Sequence, residues 1–266
     1  MSATPALADH LVIAASVALS FVHTVLAYPA TVRRMHAGDP GAKRRLYGYI
    51  LLVAWAMAAC VAALWLANGR PWAALWLRPA AWYRTAAGCV VAAAYVALAL
   101  RQRVTLPRRP EVLARVGRTY AHLRPMLPET DAEQRWFNAV SVTAGFCEEL
   151  FYRGFVTWYA ASFVGLPAAV VVSAAVFGLD HLYLGRSYVL RSGIGGLVFG
   201  LVALLSGSLW PAMVMHAAAD LVSGDLGRRA LAAADADDDG ATAETKPRAA
   251  DEQAGAGGPT VASAVA

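Results

Sequence analysis

Apolar positions in this chain come in long unbroken runs, not in the spaced stripes of a water-soluble helix. The first runs from about Leu11 to Tyr28 and is followed by Pro29, and the second from about Leu46 to Ala67, where Asn68, Gly69 and Pro71 break it. A third covers about Trp82 to Leu100. Thr130-Asp-Ala-Glu133 reads as a capping box, starting a helix that enters the membrane near Trp136 and continues to about Phe163. Pro167 opens a fifth run to about Leu184. A short glycine-rich sixth covers 193–206, and a seventh starts near Ser208, with Pro211 in its first turn, and ends near Val222. Most runs reach roughly 18 residues, enough to cross a hydrocarbon core of ~30 Å. The expected fold is all-α: a polytopic transmembrane bundle of about seven spans.

The polar segments orient it. The loop 30–45 carries Arg33, Arg34, Lys43, Arg44 and Arg45 against Asp39, and 101–135 carries eight arginines. Both belong in the cytoplasm by the positive-inside rule, so the N-terminus is expected outside and the C-terminus inside. Arg186, Arg191, Arg228 and Arg229 then also fall inside. Trp72, Trp76 and Trp82 suit a membrane interface. Within the long basic segment, 111–123 reads as an amphipathic helix on the membrane surface, with Val112, Leu113, Val116, Tyr120 and Leu123 on one side. The domains expected are three N-terminal spans (1–100), a basic amphipathic linker (101–127), a helical core (128–224) and a disordered cytoplasmic tail (225–266).

Composition agrees: 58% of residues are hydrophobic and 15% charged, against about 45–50% and about 25% in soluble domains. The net charge of +5 does not point to nucleic acid, because the basic residues cluster between apolar runs and form no separate module. Cys60, Cys89 and Cys147 sit in apolar runs with neither disulfide nor metal spacing. No cleavable leader is expected, since almost no basic residue precedes the first run. Asp235 to Gly240 mimics the start of a calcium loop, but its twelfth position is Lys246 where a bidentate Glu is needed.

Ionisable residues deep in a span cost about 2.5–3.5 kcal/mol each, so they mark function. Apart from His23, and Arg84 near a span end, they gather in the second half. Glu148 and Glu149 are adjacent and must serve different partners. Glu149 and Arg153 share a face at i,i+4 and read as a structural ion pair. Glu148 has no cation at that spacing and needs a partner from another helix, or a proton. Phe177 and His181 share a face, as do His216 and Asp220, while Asp180 reads as an interfacial charge. Glu148 lies about eleven residues into its span, ~16 Å deep. The other three fall between that depth and the inner surface, so a common polar cavity is geometrically available.

Glu148-Glu-x-x-x-Arg153, Phe177-x-x-x-His181 and His216-x-x-x-Asp220, in that order, resemble the signature of the CPBP family of intramembrane peptidases (CAAX proteases and bacteriocin-processing enzymes). Trp136-Phe137, Tyr152-Arg-Gly-Phe155 and Ser208-Leu-Trp-Pro211 agree in style, so the resemblance covers about Pro128–Ser223. It implies a glutamic endopeptidase without a cofactor or metal, with Glu148 and His181 activating water and His216 stabilising the oxyanion. Asp220 would orient the His216 ring or assist directly, and Glu149, Arg153 and Phe177 would support the site. Asp220 stands where the prenyl-protein endopeptidases often have Asn, and a carboxylate donates no hydrogen bond unless protonated. The partners implied are membrane lipid and a peptide or protein substrate, lipidated or not. An Ala- and Arg-rich composition suits a high-GC bacterium, hence a bacterial inner membrane. Two alternatives stand beside this reading. Glu148, His181, His216 and Asp220 are also zinc-ligand types, although the chain has no His-Glu-x-x-His. A non-catalytic or transport-like scaffold is the other.

Overall fold

A computed structural model describes residues 4–78 and 81–244, with side chains through Asp239. All regular structure among the described residues is helical. In chain order the helices are α1 (Leu7–His36) and α2 (Ala42–Ala67), then α3 (Trp82–Thr105) and α4 (Pro110–Thr119). The long α5 (131–164) is followed by α6 (Leu166–Asp180), α7 (Arg186–Ser206) and α8 (Trp210–Glu244). The chain is an integral membrane protein. Among the described residues, four helices are long and apolar enough to cross a bilayer: α1, α2, α3 with the short turn that extends it, and α7. α6 is apolar but shorter, and the helices bearing the ionisable motifs, α5 and α8, are not among those four.

Several boundaries differ from the sequence expectation. Pro29 does not end the first span. Helix α1 passes through it because His23–Ala27 widens into a π-helical turn just before it. Such a turn relieves the clash between a proline ring and the carbonyl four residues earlier. The sixth span begins at Arg186, not near residue 193, because Gly185 (φ 106°) turns the chain directly into the helix. Its first turns are polar and therefore fell outside the apolar run.

The C-terminal region is the largest correction. Expected to be disordered from 225, it continues as helix α8 to Glu244, and only 245–266 lie outside the described residues. Ala230, Leu231 and Ala234 are buried. They pack beside α4, whose Gly117 lies against the Ala230 backbone. Ion pairs join Arg118 to Asp237 (2.5 Å) and Arg124 to Asp235 (2.6 Å), so the acidic run that resembled a calcium loop is helical and partnered by arginines. The α4 face is rotated from the expected one: Leu113, Ala114 and Gly117 are buried, while Val112 is exposed. That face meets α8, which supplies the apolar partner the sequence reading assigned to lipid.

Two features set the geometry of the core. Gly145 lets α5 and α8 touch: a Cβ there would sit 2.7 Å from Ala217 Cβ and 2.9 Å from the Met213 carbonyl oxygen. The second is a fully buried pair at the far end of the bundle. Arg70 donates to both Asp9 carboxylate oxygens (2.7 and 2.6 Å), and its guanidinium lies over Trp65 and Trp158 (5.1 and 4.5 Å). This clamp ties the start of α1, a helix otherwise lying mostly outside the packed core, to the turn after α2.

Candidate active site

Helix α5 changes register at the two adjacent glutamates. Glu148 ends its α-helical part, and Glu149–Val156 form a π-helical segment. The Tyr152 carbonyl in this wider turn accepts from Ser173 Oγ (2.6 Å) and Thr157 Oγ1 (3.0 Å), which compensates the interrupted α-helical ladder. Single π-turns inside α-helices recur at functional sites, because they re-aim side chains that a regular helix would carry past one another.

The re-aiming separates the two glutamates. Glu149 is completely buried and sits between Arg153 and His216. Arg153 Nη1 lies 2.9 Å from its Oε1, and His216 Nδ1 donates to the same oxygen at 2.8 Å. Arg153 is held in turn by Phe177, whose ring lies 4.1 Å from the guanidinium carbon, and by the Gly196 carbonyl. Gly196 leaves the necessary room, since a Cβ there would stand 2.7 Å from Arg153 Nη2. The expected ion pair is therefore present, and it also fixes the His216 ring. A carboxylate accepts, so Nδ1–H donates to Glu149 and Nε2 is turned the other way.

Glu148 and Asp220 face that second nitrogen. Glu148 Oε2 is 3.7 Å and Asp220 Oδ2 is 3.6 Å from His216 Nε2. The partner that Glu148 lacked on its own helix comes from α8. Its carboxylate is 27% exposed where that of Glu149 is fully covered, so of the adjacent pair only Glu148 is open to a bound molecule.

His181 lies just past the end of α6, not within it. Its Nδ1 meets the Phe177 carbonyl oxygen at 2.8 Å. A carbonyl accepts, so Nδ1 carries the proton and the neutral ring keeps a lone pair on Nε2. Phe177 packs against both histidines, with ring centroids 4.6 Å from His181 and 5.8 Å from His216. Glu148 and His181 line one open cleft, together with Asp180, Tyr152 and residues of α1 and α2.

Residues 135–222 match the family model for type II CAAX prenyl endopeptidases, Rce1-like. That segment is about a third of the chain. The match supports a hydrolase of the protease kind, with peptide or protein substrates at a membrane. It starts a few residues inside the segment expected from Pro128, and all seven motif residues fall within it. Searches of curated proteins and of solved structures returned no match.

The motifs left out part of what surrounds the matched segment. Asp180, read as an interfacial charge, is a cleft residue that accepts a hydrogen bond from the Tyr152 hydroxyl. Its neighbour His181 was the available signal. Phe199 stacks on His216 at 5.3 Å and has no motif to mark it. His23 stood out only as an ionisable residue in an apolar run. It comes from outside the matched segment and lines the same cleft.

Proposed function

We propose that this protein is an intramembrane glutamic endopeptidase, with Glu148 and His181 as the water-activating pair and His216 as the oxyanion donor. The observation that carries the proposal is the division of labour around His216: Nδ1 is fixed by buried Glu149, and Nε2 faces the more open Glu148 and Asp220. Water held between Glu148 and Nε2 of His181 gives its proton to the Glu148 carboxylate as its oxygen attacks the scissile carbonyl carbon. His216, protonated at both nitrogens, donates Nε2–H to the developing oxyanion. The C–N bond then breaks, and the proton held by Glu148 passes to the departing amine. Asp220 adds negative charge beside Nε2 and so favours the protonated ring. Glu149 and Arg153 hold that ring in place.

The substrate we propose is a CAAX-type peptide or protein tail, in keeping with the matched family, approaching from the inner face or through lipid. The orientation is N-terminus out, supported by the arginine-rich loops, and the membrane is the bacterial inner membrane, supported by the composition. Among the described residues no three His, Cys, Asp or Glu side chains are grouped to hold a metal ion, so the zinc alternative finds no ligand set there. Cleavage of a quenched peptide library containing prenylated members, by protein reconstituted in lipid, tests the proposal. His181→Ala and His216→Ala should each lower kcat by about 10²–10⁴-fold. Wild-type rates in both would refute it.

A further inference from the structure

The cleft holding Glu148 and His181 has a second wall, built by α1 and α2 outside the matched segment. Ser20, His23 and Tyr49 line it, and Tyr183 closes the corner. His23 is the residue whose placement this fold explains least well. It opens the π-helical turn His23–Ala27, in a helix that mostly lies outside the packed core. Its ring is nonetheless held on three sides. It stacks on Tyr49 at 5.6 Å and 8° between planes, meets Tyr183 edge-on at 4.7 Å, and approaches Tyr28 at 6.1 Å. Tyr183 stacks in turn on His181 at 6.2 Å. One tyrosine thus spaces His23 from a proposed catalytic histidine.

With its ring so fixed, His23 still has a buried Nδ1 with no hydrogen-bond partner in the protein. A buried polar nitrogen left unpaired is costly, and lipid tails offer it no partner. Aromatic packing on three sides with one unpaired nitrogen beside a cleft is the arrangement of a recognition group. The packing removes the entropy cost of ordering the ring, and its hydrogen-bonding capacity stays free for a ligand.

We infer that His23 is a substrate-binding residue of the same site, its imidazole hydrogen-bonding to the backbone of a peptide that lies in the cleft between α1 and Glu148. The peptide is then gripped by two parts of the chain: chemistry from the 135–222 core and binding from α1. Helix α1 is attached at its start by the Asp9–Arg70 clamp, and most of its apolar surface faces outward. The inference rests on the proposed function only for the location of the scissile bond.

Binding can be separated from cleavage by working in the Glu148→Ala background. The probe is a fluorescein-labelled, farnesylated tetrapeptide of the Cys-aliphatic-aliphatic-X type, with the protein in lipid nanodiscs. His23→Phe keeps the ring packing on Tyr49 and Tyr183 and removes both nitrogens. Its Kd should rise roughly five- to tenfold, the loss of one net hydrogen bond. His23→Gln, which keeps a hydrogen-bonding group, should stay within about threefold of the parent. On the active background, His23→Phe should raise KM by a similar factor and leave kcat within about threefold. Equal Kd for parent and His23→Phe, or a His23→Gln variant as weak as the Phe variant, would overturn the inference. If the Glu148→Ala protein itself still cleaves the peptide, the catalytic reading fails, and the Kd comparison still decides the role of His23.

Discussion

Arg153 and Glu149 are about as buried as an ion pair can be, at 1% and 0% side-chain exposure and 2.9 Å apart. Removing Arg153 alone leaves a carboxylate in a dry site with His216 as its remaining polar partner, 2.8 Å away. Breaking one side of a buried pair costs about 3–5 kcal/mol, whereas replacing both partners with neutral groups is often nearly free. Arg153→Met keeps an unbranched chain in the slot against Phe177 and should lose about 3 kcal/mol, the low end, because His216 still donates a hydrogen bond to the carboxylate. Such a loss is a large share of a typical stability of about 5–15 kcal/mol. Glu149→Gln keeps an acceptor for His216 Nδ1 and removes the charge. The double variant should therefore be more stable than Arg153→Met by at least about 1.5 kcal/mol, a coupling within the range for residues in one network. Unfolding of the four proteins in mixed micelles, followed by tryptophan fluorescence, measures the cycle. A loss below about 1 kcal/mol for Arg153→Met, or additivity within about 0.5 kcal/mol, would refute the coupling of Arg153 to Glu149.

Other consequences are simpler to state. Asp9→Asn leaves Arg70 buried without its counter-charge and should cost about 3 kcal/mol in the same unfolding assay. An unchanged midpoint would show that the clamp does not hold α1. Gly145→Val pushes side-chain atoms into Ala217 and the Met213 carbonyl, parting Glu148 from His216. It should lower kcat by on the order of 100-fold, far beyond the modest cost of an exposed helix substitution, and near-normal cleavage would count against the close α5–α8 contact. The pairs Arg118–Asp237 and Arg124–Asp235 are exposed, each contributing at most about 1 kcal/mol and screened in 1 M salt. Tryptic cutting at Arg228 and Arg229 should accelerate roughly two- to fivefold in 1 M NaCl while the buried Ala230–Leu231 contact persists. No salt effect would assign the docking of this segment wholly to its apolar face.

Much of the site was legible because lipid makes polarity informative. An acid or histidine inside an apolar run stands out against a background in which each is costly, and the order of the three motifs then suggested a family. What the spacing could not convey was register. The i,i+4 rule paired Glu149 with Arg153 and put His216 and Asp220 on one face, and these pairs stand 2.9 and 3.6 Å apart. The contact of Glu149 with His216 Nδ1, across from the π-helical turn after Glu148, is long-range, and no local pattern encodes it. Pro29 misled for a related reason: a proline reads as a stop unless the preceding turn widens. The 225–244 segment looked too polar to fold because its apolar residues are mostly alanines. Alanine buries little area but favours helix strongly, and the complementary α4 face was assigned to the membrane. His23 was flagged by its polarity alone, and nothing local linked it to motifs more than a hundred residues away.

The central claim is that Glu148 and not a metal ion activates the water. The most direct measurement is cleavage of a quenched prenylated peptide by the reconstituted protein, with Glu148→Gln alongside and each protein assayed with and without a chelator. The account predicts wild-type cleavage unaffected by the chelator and a Glu148→Gln rate reduced by about 10²-fold or more, with peptide still bound. Wild-type cleavage abolished by the chelator and restored by zinc, or retained at full rate in Glu148→Gln, would contradict it.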